Sequence, residues 1–112
     1  MVLFSYIILG DYMNTKVIVD AGHGGNDSGA VNGNIKEKDL TRQAAKYIDK
    51  RLKELGINSV LTRDGDEYLP REDRIRRINS LTNNQPAILI SNHINAGGLG
   101  CPCLGSRFKL GY

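Results

Sequence analysis

The run "KVIVD" from Lys16 to Asp20 is short, unbroken and β-branched, with none of the alternation of a half-buried strand. That pattern predicts a strand covered on both faces. Residues 22–34 carry five glycines together with Asn and Asp, and predict a loop. In "EKDLTRQAAKYIDKRLKELG", Leu40, Ala44, Ile48, Leu52 and Leu55 recur at helical steps, so one apolar helix face is expected, with Gly56 as its stop. "INSVLTR", 57–63, predicts a second strand. "DGDEYLP" then turns, and Pro70 suits the start of a helix over "REDRIRRINSL". Gln85-Pro86 closes that helix, and "AILISNH", 87–93, predicts a third buried strand. Strand–helix–strand–helix–strand with long crossovers implies an α/β fold, a mostly parallel twisted sheet flanked by helices.

A chain of 112 residues has room for one small core. Its 40% hydrophobic and 24% charged residues exclude wholesale disorder. The net charge of +3 suits an anionic polymer such as a cell wall or nucleic acid, without requiring one. Cys101 and Cys103 flank Pro102, too close in sequence for an unstrained disulfide. They also lack the second pair that a structural zinc site needs, and read as incidental thiols. "MVLFSYIILGDY" is apolar for fewer residues than the ~20 of a spanning helix, and shows neither the basic start nor the cleavage site of a signal peptide. Residues 1–12 read as an N-terminal extension before "MNTKVIVD", or as an added edge strand.

In open parallel sheets, ligands sit beyond the carboxyl ends of the strands. His23 follows the first strand and His93 ends the third, so both belong on that edge, ~5 Å apart if the strands are neighbours. Glu37 opens the first helix, which starts on the same edge. Two imidazoles and a carboxylate with an open fourth position form the ligand set of a catalytic zinc site, suited to hydrolysing an amide. Gly24 and Gly25, with Gly22, would let the backbone approach a bulky substrate or take positive φ around the ligand. Taken singly, each ligand also fits a structural role, Glu37 as a carboxylate at a helix start and either histidine as a loop residue.

Other readings compete. "GHGGNDSGAVNG" could cradle phosphate at a helix start, although it lacks the P-loop ending and the G-x-G-x-x-G spacing. Arg71, Arg74, Arg76 and Arg77 could form a nucleic-acid patch, but no aromatic residues interleave them. A solvated helix face fits better, with one arginine, Arg71, steering an anionic substrate.

Three ordered blocks, "VIVDAGHGGNDSGAVNGNIKEKDL", "VLTRDGDEYLPREDRIRRIN" and "AILISNHINAGG", resemble the zinc-dependent N-acetylmuramoyl-L-alanine amidases of bacteria and their phages. The likeness runs from about Lys16 to Gly98. It implies a phosphorylase/hydrolase-like sheet, with Zn2+ held by His23, Glu37 and His93 and with Asn95 of the last block near the substrate. It also implies cleavage of the amide between muramic acid and L-alanine in peptidoglycan; the chain is expected to be a monomer without a nucleic-acid partner. Family domains continue with further strands and a late glutamate that acts as general base or acid; no counterpart is visible here, and Glu67 and Glu72 have no evident place at the metal. The expected organisation is therefore an incomplete amidase domain over 13–100 and an atypical tail over 101–112, as a frameshift or early stop would leave. Two functions follow: a peptidoglycan amidase, or an inactive zinc- or wall-binding fragment. The expected location is extracellular or at the wall, after phage release or cytoplasmic storage before lysis.

Overall fold

The computed structural model describes residues 14–94. Strand β1 (Lys16–Ala21) is the centre of a three-stranded parallel sheet, between β4 (Ser59–Leu61) and β5 (Ala87–Asn92). Val17 to Val19 align with Ser59 to Leu61, and Lys16 to Ala21 align with Ala87 to Asn92. The continuous apolar run is thus the strand covered on both sides. Helix α1 (Glu37–Glu54) and helix α2 (Arg71–Thr82) are the two crossovers. Val17, Val19 and Ala21 pack with Ala45 of α1, while Asp20, on the alternate face, pairs with Arg74 of α2. The flanked parallel sheet read from the sequence is the one observed.

Three details differ from the sequence expectation. The glycine-rich loop contains a small antiparallel ribbon, β2 (Val31–Asn32) with β3 (Ile35–Lys36), which turns at Gly33. Strand β4 is shorter than 57–63: Ile57 N closes the end of α1, and beyond Leu61 Thr62 keeps one backbone bond to Val19 O while its side chain and that of Arg63 bond polar groups at the sheet's end. Helix α1 is also rotated from its expected face. Leu40, Ala44 and Leu55 are exposed, while Thr41, Ala45 and Asp49 are buried, with Ile48 and Leu52 beside the core. Polar bonds decide that rotation: Thr41 Oγ1 donates to Gly22 O at 2.7 Å, and Ser59 Oγ donates to the Asp49 carboxylate at 2.7 Å. The C-terminal stop is as expected. Gly56 takes φ 75°, with Gly56 N donating to Lys53 O and Ile57 N to Leu52 O, a Schellman ending.

The sheet's carboxyl edge is held by Arg63, which is 2% exposed. Its Nε donates to Ala21 O at 3.1 Å, its Nη1 to Gly65 O at 2.9 Å, and its Nη2 to Gly22 O at 3.0 Å and Lys38 O at 2.9 Å. One planar fork therefore joins the end of β1, the first turn of α1 and the loop after β4. Burial pushes the guanidinium's pKa down, yet arginine stays charged in proteins.

This arrangement makes a direct prediction. In Arg63→Lys, a single ammonium cannot reach all four carbonyls, and each acceptor left unpartnered costs about 1–3 kcal/mol. Urea unfolding should show at least that loss, whereas Arg76→Lys on the exposed face of α2 should stay within about 0.5 kcal/mol of the parent. Equal midpoints for the two variants would show that Arg63 does not hold this edge.

Candidate metal centre

Where β1 ends, Gly22 continues the extended path and His23 turns sharply into the left-handed region, φ 62°. Few residues other than glycine adopt that conformation, and it swings the imidazole back over the sheet edge. The chain then folds on itself, with Gly24 N donating to Asp27 O at 2.9 Å and Asp27 N to Gly24 O at 3.0 Å. That turn brings Asp27 Oδ2 to 2.9 Å from Nδ1 of His23. The hydrogen bond from His23 lowers the Asp27 pKa, more than burial raises it.

Glu37 reaches the same point from the start of α1 and is 4% exposed. The glycine-rich loop caps this helix, since Glu37 N donates to Ala30 O at 2.8 Å and Lys38 N to Ser28 O at 3.0 Å. In return Glu37 Oε2 accepts from Ala30 N at 2.8 Å, and Oε1 accepts from Ile94 N. Burial raises the pKa of this carboxyl. The two amide N–H groups and both imidazoles outweigh it, and hold it below the ordinary carboxylate range.

His93 follows β5, the strand next to β1, so the two histidines follow neighbouring strands. Its Nδ1 is 3.7 Å from Glu37 Oε1, and Nε2 of His23 is 3.1 Å from the same oxygen. The two rings meet edge-on, with centroids 5.1 Å apart. One donor atom from each of His23, Glu37 and His93 lies within 4.8 Å of the others, the one such cluster among the described residues. Two glycines make room for it. A Cβ on Gly22 would stand 2.5 Å from Cε1 of His93, and one on Gly29 would stand 2.6 Å from both the Glu37 carboxylate and the His23 ring.

The chemistry of this donor set fits a divalent cation such as Zn2+: two neutral imidazoles and an anionic carboxylate converge from three rigid elements. The remaining sequence-derived residues fare differently. Gly24 and Gly25 lie under the loop after β4, where a Cβ would collide with Glu67 O and Tyr68 N respectively. Arg71 is exposed at the start of α2; the arginines of that helix that reach the sheet edge are Arg74 and Arg77. Glu67 is engaged by Arg77 and lies apart from the cluster. Asn95, Cys101 and Cys103 lie outside the described residues. Sequence reasoning missed Asp27, although a carboxylate four residues after the histidine in a tight glycine turn was a readable signal.

The family model described as N-acetylmuramoyl-L-alanine amidase (Amidase_3) matches residues 17–101. The chain is 40% identical over 81 residues to the uncharacterized protein YqiI of Bacillus subtilis, covering 72% of this chain and 38% of that one. It is 40% identical over 91 residues to the endolysin of Bacillus phage SPP1, covering 79% of this chain and 32% of that one. Among solved structures, an N-acetylmuramoyl-L-alanine amidase from Clostridium difficile 630 superposes with a TM-score of 0.65 at 38% identity, over 79% of this chain and 47% of its own. The chain thus spans roughly a third of the length of these two curated relatives. The sequence blocks, the parallel sheet and the convergence at its carboxyl edge agree with these matches, and the chain belongs to the Amidase_3 family of N-acetylmuramoyl-L-alanine amidases.

Proposed function

We propose that the chain acts on peptidoglycan, hydrolysing the amide that joins the lactyl group of N-acetylmuramic acid to the L-alanine of the stem peptide, with Zn2+ held by His23, Glu37 and His93. The observation that carries this reading is the approach of those three donors to within 4.8 Å of one another, in a chain of an amidase family. A bound zinc polarises a carbonyl and makes water acidic enough to attack near neutral pH.

The chain's own residues prepare that site. Asp27 orients His23 through Nδ1, and the amides of Ala30 and Ile94 keep Glu37 charged and fixed. The αL turn at His23 holds its ring over the edge, and His93 stands exposed beside it. Arg71 and Asn95 are assigned to substrate contact, whereas Gly24 and Gly25, packed against Glu67 and Tyr68, shape the loop instead. The exposed position of Arg71 supports a role in attracting the anionic polymer, and the net charge of +3 has the same sense. The site of action on this reading is the cell wall. Among the described residues no helix is long and apolar enough to cross a membrane.

The test is release of L-alanine amino termini from isolated peptidoglycan, with zinc and with chelator. Zinc-dependent release is expected. A folded, zinc-loaded protein that releases none would replace the amidase reading with that of a zinc- or wall-binding module.

Zinc should also raise stability, by ~2.7 kcal/mol at a concentration ~100 times its Kd. Glu37→Gln should abolish that gain, because it removes the only anionic donor of the three; a variant that zinc still stabilises fully would remove Glu37 from the ligand set.

Acid should loosen the same region. Asp27, Glu37, Asp66 and Glu67 all have depressed pKa values, so their contribution is complete above the ordinary carboxylate range and is lost as pH falls through the lower folded values. The unfolding midpoint of metal-free protein should be nearly level from pH 7 to about 5 and fall steeply below about 4. Rising stability on acidification across that window would contradict the assignment.

A further inference from the structure

Asp20, one residue before the end of the central strand, is 2% exposed and takes no part in the donor cluster. Its Oδ1 accepts from Thr62 Oγ1 at 2.6 Å and from Arg74 Nη1, and its Oδ2 accepts from Ser91 Oγ at 2.8 Å. One carboxylate thus gathers the ends of all three parallel strands and a side chain of α2. The bonds then continue toward both histidines. Arg74 Nη1 donates to Ala21 O at 2.8 Å, and its Nη2 donates to His23 O at 3.0 Å. Ser91 lies two residues before His93, and Asn92 Nδ2 donates to Asp20 O at 3.2 Å.

A buried carboxylate that served packing alone would need only to be satisfied. This one is satisfied by groups that lead to both ligand-bearing segments. Arg74 in particular fixes the carbonyl of His23, whose αL backbone is of the kind that persists only where its surroundings hold it. Arg77 offers an internal comparison. It projects from the same helix, donates to Thr62 O at 2.8 Å and grips Glu67, but it bonds neither histidine-bearing segment.

The geometry points to Asp20 and Arg74 as positioning residues for the metal centre: without touching the cation, the pair sets where His23 and His93 stand and so how tightly the site binds. This inference rests on the reading of His23, Glu37 and His93 as a metal centre. Arg74→Lys keeps the charge and can still reach Asp20, but a single ammonium cannot also hold the carbonyls of Ala21 and His23. Ser91→Ala removes one donor to Asp20 and is mild enough to leave the fold intact.

The experiment uses the whole chain. Zinc affinity is measured by competition with a chromophoric chelator, the visible spectrum is recorded with Co2+ in place of zinc, and urea unfolding is followed on metal-free protein. Arg74→Lys should weaken zinc binding ~10–100-fold, the range seen when groups behind metal ligands are lost. It should also alter the intensity of the Co2+ bands. Ser91→Ala should do the same to a smaller degree. Arg77→Lys should lose stability without moving affinity or spectrum. Parental affinity and spectrum in Arg74→Lys and Ser91→Ala would overturn the inference, as would an equal loss of affinity in Arg77→Lys. A parent chain that takes up no zinc would overturn the metal-centre reading itself, an outcome distinct from unaltered variants on a parent that binds.

Discussion

A carboxylate buried to 4% exposure at the first position of a helix has to find donors, and Glu37 finds them in the loop that carries His23. The exchange is mutual, since Ala30 donates to the Glu37 side chain while Ala30 O accepts the first free N–H of the helix. Neither partner is satisfied alone: the helix start would leave open donors, and the loop would have no reason to close. Folding α1 therefore also folds the glycine-rich loop, and with it the turn that puts Asp27 behind His23. Ile94, just past His93, contributes its own N–H to the same carboxylate. Both histidine segments are tied to Glu37 through backbone amides before any cation is considered.

The polar core around this junction is extensive for so small a domain. Asp20, Thr41, Thr62 and Arg63 are all 2% exposed or less, and every buried side-chain polar atom among the described residues has a partner. Such networks carry a high desolvation cost and repay it only with complete bonding, so they tolerate one geometry. The apolar core, Val17, Val19, Ala21 and Ala45, is small by comparison. Apolar burial secures the sheet to α1, and polar bonding decides how the carboxyl ends of the strands are arranged. That division explains why the functional edge is better ordered by hydrogen bonds than its loop composition suggests.

It also explains what the sequence could and could not reveal. Strands β1 and β5, both helices and the convergence of His23, Glu37 and His93 were legible, because unbroken apolar runs and abrupt strand ends are local signals. The face of α1 was misread. Apolar periodicity selects Leu40 and Leu55, yet the helix turns Thr41 and Asp49 inward to bond Gly22 and Ser59, partners 19 and 10 residues away in the chain. The roles of Asp20, Arg63 and Arg74 were hidden for the same reason. Arg74 meets Asp20 across 54 positions, and Ser91 meets it across 71, so no local pattern marks them. The ribbon at 31–36 was lost in a loop signal, since strands of two residues have no periodicity to detect.

The two histidines are not interchangeable, and the sheet register shows why. Ala21 lies opposite Asn92, so His23 stands two residues beyond the aligned pair and His93 only one. The chain compensates by turning His23 back through its αL conformation and by standing the His93 ring over Gly22. As a result the distal nitrogen of His23, Nε2, and the proximal one of His93, Nδ1, both stand near the same oxygen of Glu37. On the metal reading, exchanging the donor atom on either ring would displace it by far more than the ~0.2 Å latitude of metal–ligand distances. A one-residue slip between β1 and β5 would be worse, because it sends a side chain to the opposite face. The register of β1 and β5 is therefore as much a part of this candidate centre as the three side chains that compose it.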